Sequence, residues 1–244
     1  MMRHFATLII MLGLMSGCTP QPLQLPATPP TPLNVFLTPS TEIWVGAVNR
    51  CGSLNSTLNA FIHVQRMDTD QLDDLSVTIH SGETGAVGKQ FKLTDEELII
   101  IVHPDNPLSE ISDEQFAAVL TGFTRTWSEV DPNLVPEFGQ LAVQPVIYPS
   151  EDELEQILSQ HFMGDLVPSL GAKIVNNPAE MVELVSQTPG AIGFIPKRWL
   201  VSSIKQLVPS EKIIYPLIMV TKAEPADRLK QLMLCLQDQA KQAK

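Results

Sequence analysis

Apolar and polar positions follow two rhythms along this chain, and the rhythms take turns. Leu33–Leu37, Ala60–Val64 and Leu75–Ile79 are short segments rich in apolar and β-branched residues and predict strands. Leu98–Val102 is an unbroken aliphatic run, the pattern of a parallel strand buried on both faces. Val143–Ile147, Ala191–Ile195 and Tyr215–Thr221 predict three more strands. Between them the period changes to that of a helix. Ser40 or Thr41 stands where it would cap a helix through Trp44, Val45 and Val48. Ser112-Asp-Glu-Gln115 is a capping box, with Phe116, Val119 and Leu120 on one face behind it and Gly122 as the stop. Ser150-Glu-Asp-Glu153 reads as a second box leading into Leu154, Ile157 and Leu158. Asn177-Pro178 opens a third helix with Met181, Leu184 and Val185 inward. A last amphipathic helix runs from about Pro225, with Leu229, Leu232, Met233 and Leu236 inward.

Strands alternating with helices predict an α/β fold with mainly parallel, mixed sheets. The chain leaves its first α/β layer after Val102 and returns after Ile195. This predicts two lobes, one of residues 33–102 with 196–244 and one of residues 103–195. Two lobes joined by two crossings enclose a cleft, and small ligands bind in such clefts at strand ends.

The start of the chain follows a different logic. A basic Met1-Met2-Arg3-His4 is followed by the apolar run Phe5–Leu14, the order of a secretory signal. The run is too short to span a bilayer stably. It ends in Leu14-Met15-Ser16-Gly17-Cys18, which resembles the bacterial lipobox, although Met15 stands where leucine is commoner. The expectation is a signal peptide over residues 1–17 and an acyl anchor on Cys18, holding the protein to the extracytoplasmic face of a membrane. Residues 18–32 are proline-rich and uncharged, a semi-extended tether.

A chain that is 44% hydrophobic and 18% charged has globular composition. Its formal net charge is −11, and loss of Arg3 with the signal leaves −12. That balance argues against nucleic acid and against electrostatic docking to anionic lipid. Cys51 and Cys235 remain after Cys18. An oxidising exterior permits a disulfide between them, and two buried free thiols are the other reading.

Catalytic signatures do not emerge: there is no HExxH, no GxSxG, no paired CxxC and no calcium loop. His63, His80, His103 and His161 are scattered. Gly82 to Lys89 approaches a phosphate-cradling loop but has five residues between its outer glycines, and Gln90 stands where a magnesium-binding hydroxyl belongs. The segment reads as a glycine loop. No cofactor and no metal is expected, and the body reads as a binding module rather than an enzyme.

Residues 98–130 carry a family pattern. An aliphatic strand ends in His103-Pro104-Asp105-Asn106-Pro107. A helix from Ile111 to Leu120 follows, then a loop with Gly122, Trp127 and Val130. Downstream come Thr188-Pro189-Gly190-Ala191-Ile192-Gly193-Phe194 and Tyr215-Pro216-Leu217. Together these resemble the phosphate-binding-protein-like branch of type 2 periplasmic binding proteins, the solute receptors of ABC transporters. The resemblance runs in order over most of residues 33–240, with residues 41–80 shortened. It implies a monomeric two-lobe receptor that captures a small molecule and passes it to an ABC permease. It also implies where the ligand sits. Thr38, Ser40 and Thr41 follow the first strand, Ser81 and Gly82 follow the third, and Ser150, Glu151 and Asp152 match a loop that in the family reads "Arg-x-x-x-Ser-Gly-Thr". Here Tyr148 or Ile147 takes the arginine position, and Glu151-Asp152 replaces the glycine-threonine pair. Carboxylates beside a bound phosphate repel it, so tight phosphate binding is not expected. The same carboxylates also suit the first turn of a helix, opposite its dipole. Ser40 equally suits a helix cap and Ser81 a turn. A lobe pair that no longer takes a solute and serves as an envelope interaction or regulatory module is the alternative function.

Overall fold

The computed structural model describes residues 30–66, 68–83, 85 and 87–242. The expected signal peptide, Cys18 and nearly all of the tether lie outside the described residues. From Thr31 onward the chain forms one compact unit.

Among the described residues nine strands form the sheet: β1 (Leu33–Leu37), β2 (Ala60–Val64), β3 (Ser76–Ser81), β4 (Lys89–Val102), β5 (Gln144–Ile147), β6 (Lys173–Ile174), β7 (Ala191–Pro196), β8 (Lys205–Leu207) and β9 (Ile213–Thr221). They lie in the order β2-β1-β3-β9-β4-β7-β5-β6, with β8 also paired to β4. The outer strands pair in parallel, β1 with β2 and β3, and β5 with β6 and β7. The middle is antiparallel: β9 pairs with β3 and β4, and β4 with β7 and β8. Leu98–Val102 is therefore buried on both faces as its composition predicts, but within antiparallel pairs. Burial, not strand direction, demands the aliphatic run.

The helices are α1 (Val45–Leu54), α2 (Asp113–Leu120), α3 (Trp127–Val130), α4 (Pro136–Gly139), α5 (Glu153–Leu158), α6 (Pro178–Gln187) and α7 (Asp227–Gln242). The Ser112–Gln115 capping box forms as the sequence predicts. Ser112 Oγ accepts from the Gln115 amide, and Gln115 Oε1 accepts from the Ser112 amide at 2.8 Å. Gly122, with φ at 77°, turns the chain out of α2. Asn177 caps α6 through the Glu180 amide.

Hydrophobic packing falls into two main clusters. The first gathers β1, β3, β9, α1 and α7 through Leu33, Leu37, Val48, Ile79, Met219 and Leu232, with Trp44 beside them. The second gathers Leu98–Val102, Phe116, Trp127, Leu154, Met181 and Phe194. Trp127 is fully buried against Phe138, the place the loop after α2 predicts for it. Leu98–Val102 and the stretch from Ile204 to Tyr215, assigned to the first lobe by the sequence reading, pack in the second cluster. The chain thus changes clusters inside two strands, between Leu93 and Leu98 of β4 and between Tyr215 and Leu217 of β9. β4 spans 14 residues, of which the hydrophobic pattern reveals only the last five. Because Lys89 begins a strand and no helix follows the glycine loop, the segment lacks the helix terminus a phosphate loop requires.

Cys51 of α1 and Cys235 of α7 are joined in a disulfide. Of the two readings left open by the sequence, the bridge is the one that forms.

Candidate ligand cleft

β1 ends at Leu37, and Thr38-Pro39 turns the chain into a 3-10 helix, Pro39–Trp44. The turn stacks hydroxyls together. Thr38 Oγ1 lies 2.9 Å from Ser40 Oγ and 3.2 Å from Thr41 Oγ1, and Thr41 Oγ1 donates to the Ile79 carbonyl at 3.0 Å. Ser81, the last residue of the neighbouring β3, brings its Oγ to 3.4 Å from Ser40 Oγ. All four of these side chains are buried. Gly82 follows with φ at 79°, its amide donating to the Pro216 carbonyl at 2.8 Å. A side chain here would be strained by that φ and would bring a Cβ to 3.1 Å from Ile157 Cδ1 of α5, so glycine fits the close approach.

Facing this cradle is the start of α5. The sequence places the cap at Ser150, but the structure places it at Asp152, whose Oδ1 accepts from the Leu154 amide at 2.9 Å. The physical reason is a tight turn from Pro149 to Asp152, closed by a backbone bond of 2.8 Å, which takes Ser150 out of capping position. Ser150 and Glu151 are exposed, and the Ser150 hydroxyl donates to Glu151 Oε2 at 3.3 Å. The shift makes Glu153 the first helical residue, and its side chain enters the cradle. Glu153 Oε2 accepts from Thr38 Oγ1 at 3.0 Å, from Ser40 Oγ at 2.8 Å and from the Ser81 amide at 2.8 Å. Arg66, just past β2, grips the same turn: its Nη2 lies 3.0 Å from Asp152 Oδ2, and its Nη1 donates to the Glu151 carbonyl.

Of the residues predicted for the site, Thr38, Ser40, Thr41 and Ser81 come together, and Gly82 lines the adjoining cavity. Asp152 faces Arg66, while Ser150 and Glu151 bond to each other at the surface. Sequence reasoning missed Glu153 as the carboxylate in the cradle and Arg66 as the local cation. A second capping residue at Asp152, two positions past Ser150, was the available signal for the first. Arg66 left none.

Burial raises the Glu153 carboxyl to about 7, against the pull of the Ser81 amide and the Ser40 and Thr38 hydroxyls. Burial likewise raises Glu155 to about 7; its Oε2 accepts from the Tyr148 amide at 3.1 Å. Asp152 is also raised by burial, opposed by the Leu154 amide and Arg66. Beside Glu153 a cavity of about 330 Å³ opens, lined by Ser81, Gly82, Gln156, His161, Tyr215 and Pro216. The Tyr215 hydroxyl bonds to Ser81, and burial pushes its pKa up. Among the described residues no group of three or more His, Cys, Asp or Glu side chains is placed to hold a metal ion, and no helix is long and apolar enough to cross a membrane.

No family model and no curated protein matches this chain. Solved structures do. One, described as a phosphate ABC transporter substrate-binding protein of Clostridium perfringens with bound phosphate, is 14% identical, with a TM-score of 0.71 over 84% of this chain and 93% of that one. An ABC-type phosphate transport receptor from Vibrio cholerae is 15% identical, with a TM-score of 0.61 over 85% and 96%. The reduced OxyR regulatory domain of Pseudomonas aeruginosa is 10% identical, with a TM-score of 0.60 over 85% and 98%. The chain has the type 2 periplasmic-binding-protein-like fold, as its motifs predict.

Proposed function

We propose that this protein is an extracytoplasmic solute-binding protein of an ABC-type uptake system, held to the membrane by lipid on Cys18. It would capture a small molecule by lobe closure and deliver it to a permease. The observation that carries this reading is the cradle: buried Thr38 and Ser40 hydroxyls and the Ser81 amide aim at one point between two hydrophobic clusters. Preorganised donors at strand ends suit a polar ligand group. The similarity to phosphate-transport receptors supports the same reading. Inorganic phosphate itself is not the solute of choice, because Glu153 already supplies an oxygen to those donors. A binding protein of this kind does no catalysis.

A melting screen of the mature protein against anions, sugars, amino acids and divalent cations tests the proposal. A solute at about 100 times its dissociation constant adds about 2.7 kcal/mol of stability. A screen in which no solute raises the melting temperature rejects the uptake role. The occupied cradle favours a second reading, an envelope interaction module that carries no solute, and this reading would then stand.

A further inference from the structure

Glu153 has an arrangement that the uptake role does not require. Its Oε2 collects three hydrogen bonds, and every donor comes from the β1 and β3 side of the cleft. Glu153 itself belongs to α5, whose Leu154 and Leu158 pack in the other hydrophobic cluster. The carboxylate therefore spans the two packing units. Arg66 does the same a residue earlier, joining the end of β2 to Asp152 and to the Glu151 carbonyl. Without the carboxylate, the Ser81 amide would be a donor with no acceptor, a costly state for a buried group. The cradle thus aims three donors at one acceptor oxygen, and the protein supplies that oxygen from its own chain.

We propose that Glu153 is a tethered ligand: its carboxylate occupies the Thr38, Ser40 and Ser81 donors in place of a solute oxyanion, closes the cleft across the two packing units, and excludes external anions. This rests on reading the cleft as a solute site. A side chain anchored at the helix start competes as an intramolecular ligand, at an effective concentration that free anions reach only in the millimolar range. Removing it leaves the donors in place and unmatched, so a free carboxylate or phosphate oxygen takes the vacated position.

The experiment compares the mature wild-type protein with Glu153→Ala and Glu153→Gln, using inorganic phosphate and acetate as probes. Calorimetry should find phosphate at least 100-fold tighter in Glu153→Ala than in wild type. Acetate should raise the melting temperature of Glu153→Ala saturably, and should leave wild type and Glu153→Gln unmoved, since the glutamine amide oxygen still fills the cradle. If Glu153→Ala fails to fold in plain buffer, refolding in acetate or phosphate should recover it, and failure to recover overturns the proposal. Equal phosphate affinity in wild type and Glu153→Ala overturns it, as does an acetate response of the same size in Glu153→Gln. The two readings separate cleanly. A wild type that ignores every solute while Glu153→Ala takes phosphate ends the uptake role and keeps the tethered ligand. Micromolar phosphate binding by wild type does the reverse.

Discussion

Cys51 and Cys235 are 184 positions apart in sequence, and their Cα atoms are 5.9 Å apart in the fold. The bridge staples α1 to α7 within the first hydrophobic cluster, where Cys51 is fully buried and Cys235 packs against it partly buried. Cross-linking so long a loop removes much of the unfolded chain's freedom. Reduction, or Cys51→Ser with Cys235→Ser, should therefore lower unfolding free energy by about 2–5 kcal/mol. Denaturant titration with and without a reducing agent reads this directly, and coincident curves would refute it.

Trp127 fills the second cluster with no exposed surface, against Phe138. Its truncation to Ala should cost about 3–5 kcal/mol through the cavity left behind. Its Nε1 has no hydrogen-bond partner among the described residues, so Trp127→Phe sacrifices no bond and should cost less. Thermal melts of the two variants check both the size and the order.

The proposed membrane anchor turns on one atom, the Cys18 sulfur. Cys18→Ala should release the protein from the membrane fraction or leave it as an uncleaved precursor. Fractionation followed by mass measurement decides, and normal processing with unchanged membrane partition would remove the lipoprotein assignment.

Glu153 and Glu155 are both raised to about 7 from an ordinary 4.5, burial being the largest cause in each. A carboxyl raised on folding stabilises the fold fully below its unfolded value and loses that contribution as pH climbs through the folded one. These two groups should make the protein less stable at pH 8 than at pH 5.5. Glu155→Gln and Glu153→Gln should each flatten the dependence of melting temperature on pH across that window. A slope identical to wild type in both variants would show that neither carboxyl titrates there.

Local signals in the sequence carried furthest where both partners lie within a few residues. The Ser112–Gln115 box and the Asn177 cap are satisfied within three positions, and both form where predicted. The start of α5 holds two cappers two residues apart, and only the Pro149–Asp152 turn chooses between them. That two-residue choice decides which carboxylate meets the hydroxyls, so the cradle donors were legible and their acceptor was not. Arg66 acts on a turn 86 residues away, a pairing with no local trace. The first nine residues of β4, Lys89 to Glu97, are largely polar, and it is pairing with β9 that makes them a strand. Only an antiparallel partner supplied from the far end of the chain makes that segment extended.

The two crossings between clusters have a mechanical consequence. β4 and β9 run side by side through the boundary, hydrogen-bonded to each other along most of their length, with a register shift between Lys92 and Thr94. Bonded strands side by side act as a leaf spring: they flex as a pair and return, where two separate peptide linkers would swivel freely. Any parting of the clusters would have to bend this ribbon against its stiffness, and the Lys92–Thr94 step is where its pairing is irregular. The spacing of the two clusters is thereby set by a continuous paired ribbon rather than by two free linkers.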